Sequence, residues 1–193
     1  MRFFKTFLTF TAVTASVVSA LTATQIQDLY ANSGNNGGPA AKSGSLSYQS
    51  RFKSLAETAN GVTDVASAEE ATPIIVKGLR SFLETTTSDA REIRSSKRLL
   101  LTEEPTVLLR WKSFKGAEAD FAAALVKNKE HFAGASDASN QIVEQLEALR
   151  AFNSKNRQDM IRVSTSIRQG MAYTSNWREV DQSIKQAIAA LKS

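Results

Sequence analysis

The 193-residue sequence predicts an all-α fold, an antiparallel bundle of five or six helices. Three observations predict it. Apolar residues recur at three-and-four spacing from Tyr48 to Leu191, which lays them along single helix faces. No comparable run of period-two alternation marks a strand. Ser, Thr, Asp or Asn, followed by Glu, stands ahead of several of the apolar stripes, as a helix start requires.

Along the chain, TATQIQDLYA is compatible with a short helix inside a leader, residues 21–45, whose Gly, Asn and Ser content predicts a flexible connection. The ordered domain is expected over residues 46–193. Tyr48, Phe52, Leu55, Ala59 and Val62 define its first helix. Ser67 and Glu70 fit a capping box for the second, whose stripe runs through Ile75, Leu79 and Phe82, with Pro73 in the first two turns. The run Thr85 to Asp89 lowers helix propensity, so a kink or break is expected there, with Asp89 and Glu92 offering a new start.

Thr102 is the expected N-cap of the next helix, Glu103 and Glu104 face the positive end of its dipole, and Pro105 falls in the first turn. Its stripe is Val107, Trp111, Phe114, Phe121, Leu125 and Phe132, with Glu118 the one charged intruder and Gly134 the stop. Ile142, Leu146 and Leu149 lead to Asn153 and Asn156, then Met160, Val163 and Ile167. The asparagines suggest a turn in FNSKN, against one long helix with a polar layer, and Gly170 is the expected end. Asn176 and Glu179 fit the cap of a last helix through Trp177, Val180, Ile184, Ile188 and Leu191.

Residues 1–20 read as a secretory signal peptide: Arg2 and Lys5 precede an apolar core from Phe7 to Val18, and Val18-Ser19-Ala20 fits the small-residue cleavage rule. That core is shorter than the roughly 20 residues a membrane span needs, and no later run reaches that length. Cleavage there takes 24 basic residues to 22 against 19 acidic, so the formal charge falls from +5 to +3, which is no nucleic-acid signature. A secreted, extracellular protein is therefore expected, without a transmembrane anchor. The absence of cysteine and of any N-x-S/T sequon leaves stability to packing alone and predicts no N-glycan.

Catalytic signals are sparse. His131 is the one histidine, at an expected helix end that suits an imidazole without any further role. No nucleophile elbow, phosphate loop, dinucleotide glycine pattern or calcium loop occurs, and no cofactor, metal site or catalytic residue is assigned. A non-enzyme is expected. Lys97-Arg98, with Arg91 and Arg94, reads as a solvated helix face rather than a processing site. Glu118 reads as sitting at the stripe's edge and reaching water. Its alternative is a buried carboxylate with a partner, able to orient a polar head group.

The step Glu104-Pro105 into VLLRWKSFKGAEADF, with the closing VDQSIKQAIAAL, resembles the fungal hydrophobic surface-binding protein A and cell-wall galactomannoprotein family. The similarity spans most of Leu46 to Leu191 and is firmest over Leu101 to Phe121 and Val180 to Leu191. It implies a secreted helical bundle, associated with the wall or released, that binds hydrophobic surfaces or fatty-acid-like lipids without catalysis. Phe82, Val107, Trp111, Phe114, Glu118, Phe121 and Leu125 are then the candidate contacts, and cell-wall components are further candidate partners. The missing sequons and Ser/Thr-rich tail argue against heavy mannosylation and covalent wall anchoring. The alternative function is a secreted effector or wall-associated interaction module working through Arg91 to Arg98.

Overall fold

A computed structural model describes residues 21–30, 47–135 and 137–193. The expected signal peptide, and the leader beyond Tyr30, lie outside the described residues. Among the described residues there are seven helices and no strand: α1 (Ala23–Tyr30), α2 (Tyr48–Asn60), α3 (Val65–Ser95), α4 (Glu104–Lys127), α5 (Lys129–Gly134), α6 (Ala138–Val163) and α7 (Ile167–Lys192). The count exceeds the expected five or six for two reasons. Ala23–Tyr30, expected inside a flexible leader, packs as a helix with Ile26 and Tyr30 fully buried. At the other end of the predicted Thr102-to-Gly134 helix, Asn128 interrupts the chain, because its side chain turns to donate to Ala59 O at 2.7 Å.

The five long helices form a closed ring in which α2 packs on α3 and α4, α4 on α7, α7 on α6, and α6 on α3. Consecutive helices run antiparallel: Tyr48 meets Asp89 across α2 and α3, and Arg150 meets Asp181 across α6 and α7. Helices brought together from afar run parallel, as Trp111 beside Tyr173 and Asn128 beside Ala59 show. The connections α3–α4 and α6–α7 therefore share one end of the ring, where Leu99 N donates to Val163 O at 2.8 Å. At that same end α1 closes the ring. Leu21 N donates to Ser96 Oγ, and Tyr30 reaches α2, α4 and α6.

Several boundaries differ from expectation, each for a local reason. α3 starts from Asp64, whose carboxylate accepts from Ser67 N while the Ser67 hydroxyl accepts from Asp64 N, so Ser67 is the return partner of the box and not its cap. Pro73 consequently lies in the third turn. No break occurs at Thr85 to Asp89, because the hydroxyls of Thr85, Thr86 and Thr87 donate back to carbonyls of the preceding turn. Thr102 does not cap α4: Glu103 holds that position, and its carboxylate accepts from Leu100 N at 2.9 Å. FNSKN contains no turn, and α6 is the long helix with a polar layer. It ends at Val163, while Gly170 lies inside α7, which begins well before Asn176.

Candidate functional site

The alternation of four- and three-residue steps in α4 points one face of that helix at the ring's interior. Val107, Trp111, Phe114, Glu118, Phe121 and Leu125 from this face, with Phe82 from α3, are all brought together and have no solvent exposure. The rings meet edge-on or tilted, except that Tyr30 stacks on Phe114 at an interplanar angle of 27°. Phe82 and Phe114 centroids lie 6.2 Å apart, Phe52 lies 6.0 Å from Phe121, and Tyr30 lies 5.3 Å from Trp111 and 5.6 Å from Phe114. Tyr30, Tyr48 and Phe52 therefore complete a wall for which the α4 periodicity supplied only one side. Tyr30 had no periodic signal, since it ends an eight-residue helix.

Glu118 corrects the edge reading. It is fully buried, and Lys115, three residues earlier and equally buried, donates to Glu118 Oε2 at 2.7 Å and to Asn153 Oδ1 at 2.6 Å. Asn153 Nδ2 donates to the same carboxylate oxygen at 3.3 Å. The Lys115 ammonium also lies 4.2 Å from the Phe114 ring centroid and 4.7 Å from that of Trp111, so the aromatic wall holds a cation against its face. Burial pushes the Lys115 pKa down and the Glu118 pKa up, each shift opposed by attraction between the pair. Glu118 Oε1 and Trp111 Nε1 have no hydrogen-bond partner among the described residues. These are the polar atoms on the wall that a ligand head group or a water would satisfy. Lys115 and Asn153 were missed as a pair because one interrupts an apolar stripe off register and the other arrives from α6.

A second buried carboxylate organises the end where the connections meet. Glu104, in the first turn of α4, accepts hydrogen bonds from Ser164 Oγ, from Thr165 Oγ1 at 2.8 Å and from Thr165 N at 3.3 Å. It thereby pins the α6–α7 turn to α4. Beside this clamp a groove of about 620 Å³ opens between Arg98, Ile161, Ile167, Met171 and Arg178. Lys97 and Arg98, expected on a helix face, are instead exposed in the α3–α4 connection, whereas Arg94 reaches Asp159 at 3.4 Å. His131 is half-buried in the last turn of α5. Among the described residues no cluster of His, Asp and Glu is placed to hold a metal ion, and no helix is long and apolar enough to cross a membrane.

The ring of helices has counterparts among solved structures. Afmp4p in complex with palmitic acid superimposes with a TM-score of 0.68 at 16% sequence identity, covering 88% of this chain and 99% of that one. This chain shares its fold. Ligand binding domain 1 of the Penicillium marneffei MP1 protein, complexed with arachidonic acids, gives a TM-score of 0.55 at 13% identity, over 75% of this chain and 93% of that domain. No family model matches the chain, and no curated protein matches it in sequence. The family resemblance read from Glu104-Pro105 and Val180 to Leu191 thus has support at the level of the fold.

Proposed function

We propose that this protein is a secreted, non-enzymatic binder of fatty-acid-like lipid, released or associated with the cell wall, that takes an acyl chain against the inner face of α4. The observation that carries the reading is the continuous wall from Val107 to Leu125, closed by Phe82, Phe52 and Tyr30, in a fold shared with two proteins solved with fatty acids. No disulfide ties the helices together, so the ring can part along α4. Parting would expose the wall, and covering about 400 Å² of it with alkyl chain would return roughly 10 kcal/mol of the burial so lost, at about 25 cal/mol per Å² and before ordering costs. The residues of the wall supply burial and a shielded polar point at Lys115 and Glu118.

Lipid extraction of the purified chain followed by mass spectrometry, together with displacement of a fluorescent fatty acid by palmitate at neutral pH, tests the reading. Co-purifying fatty acid or saturable displacement is the expected result. A chain that carries no lipid and displaces no probe overturns it.

A further inference from the structure

The end of the ring where α3 meets α4 and α6 meets α7 carries side chains that neither the core nor the acyl-chain reading uses. Leu100, Leu101, Ile161, Ile167 and Met171 are large, apolar and exposed there, and Ile167, at the start of α7, shows 88% of its surface to solvent. They come together because Leu99 N bonds Val163 O and Glu104 clamps Ser164 and Thr165, which holds the two connections side by side. Lys97, Arg98, Arg162, Arg168 and Arg178 are exposed around them, and none forms an ion pair among the described residues. Of the acids near this end, Glu104 is buried in the clamp, Glu103 holds Leu100 N, Asp159 is buried beside Arg94 and Asp28 is buried, while Glu92 is half-buried and Glu179 exposed, so the five cations outnumber the accessible carboxylates. Apolar side chains on two turns, ringed by guanidinium groups, match the layering of an anionic lipid surface, hydrocarbon within and negative charge at its rim.

We propose that this end of the bundle docks onto anionic lipid surfaces, with Leu100, Leu101, Ile167 and Met171 entering the hydrocarbon boundary and Arg98 and Arg178 meeting the head groups. A bilayer surface fits better than one enclosed molecule, because the exposed Leu100 and Leu101 lie outside the groove, which accounts only for Ile161, Ile167 and Met171. The exposed Ser175 hydroxyl on the groove wall adds a polar group beside them. The inference is independent of acyl-chain uptake: a bundle whose core stays dry would dock in the same way.

Co-sedimentation of the whole protein with vesicles of phosphatidylcholine, alone or mixed with phosphatidylglycerol, tests it. Binding is expected to the mixed vesicles and to weaken as salt is added. Arg98→Gln and Arg178→Gln should each weaken it roughly fivefold. Ile167→Ser and Met171→Ser should each weaken it about tenfold. Ile74→Ser, an exposed apolar position far along α3, serves as the control and should change nothing. Because every position substituted is on the surface, melting curves should match the parent. Equal retention on both vesicle types, unchanged binding by the arginine variants, or an equal loss from Ile74→Ser overturns the proposal. So does saturation of the groove by dodecyl phosphate monomers in a protein that ignores vesicles, which would make it a single-molecule site.

Discussion

Lys115 and Glu118 show how much one helical turn can conceal. Both sit among aromatic rings, and a lone charge at either position would carry an uncompensated desolvation cost. Lys115→Ala should therefore destabilise the protein by about 3–5 kcal/mol in urea titration, because Glu118 is left buried without its cation. Replacing Lys115, Glu118 and Asn153 together by Met, Leu and Leu should restore most of that loss, since a packed apolar trio needs no counter-charge. The pH dependence follows from the directions of the shifts. Glu118, raised above its ordinary 4.5, contributes stability that is present below that value and is lost as pH climbs through the folded pKa. Lys115, lowered from 10.5, contributes stability that is present above that value and is lost as pH falls through its folded pKa. The difference in stability between the parent and the triple variant should therefore dip at intermediate pH and recover towards both extremes. The α4 wall was legible in the sequence because helical periodicity is a local signal. The burial of Glu118 was not, since its partners include a lysine off the stripe and an asparagine 35 residues away.

Element ends depended on side-chain bonds that compete with simple propensity. Thr85 to Thr87 lower helix propensity in isolation, yet here their hydroxyls are satisfied by the helix itself, so α3 continues past them to Ser95. Asn153 and Asn156, read as a turn signal, are instead buried and partnered by Lys115 and Tyr30, which only a tertiary contact could reveal. The cap at Asp64 offers a clean test. Hydrogen bonds from the Ser67 backbone, then from its side chain, hold the Asp64 carboxyl below its ordinary 3.8, so its contribution is present above that pH and lost as pH falls through the lower folded value. The stability gap between the parent and Asp64→Ala should narrow in strong acid when followed by helix ellipticity. Glycines give a second contrast. At Gly116, inside α4, an added methyl meets nothing within 4 Å, so Gly116→Ala should stabilise by about 0.5–1 kcal/mol. At Gly78 the same methyl would stand 2.8 Å from Leu55 Cδ2, at the close approach of α2 and α3, and Gly78→Ala should lower the melting temperature.

At the scale of the whole molecule, the ring combines antiparallel neighbours in sequence with parallel neighbours in space, an arrangement that no local pattern encodes. If the α4 wall takes an acyl chain, mass action requires the folded state to gain about 2.7 kcal/mol at a free ligand concentration of 100 Kd, so palmitate should raise Tm in a dose-dependent way by calorimetry. The hydrogen bonds between Tyr30 and Asn156, at 3.0 and 3.2 Å, join residues 126 positions apart. The α6–α7 hairpin, by contrast, needs only a short loop to close. If a contact of such long sequence separation forms only after the barrier to folding, its worth falls on the rate of opening. Tyr30→Phe should leave the refolding limb of a chevron plot unchanged and speed unfolding about tenfold. The small helix at the start of the described chain would then act as a timer, setting how long the ring stays shut once it has closed.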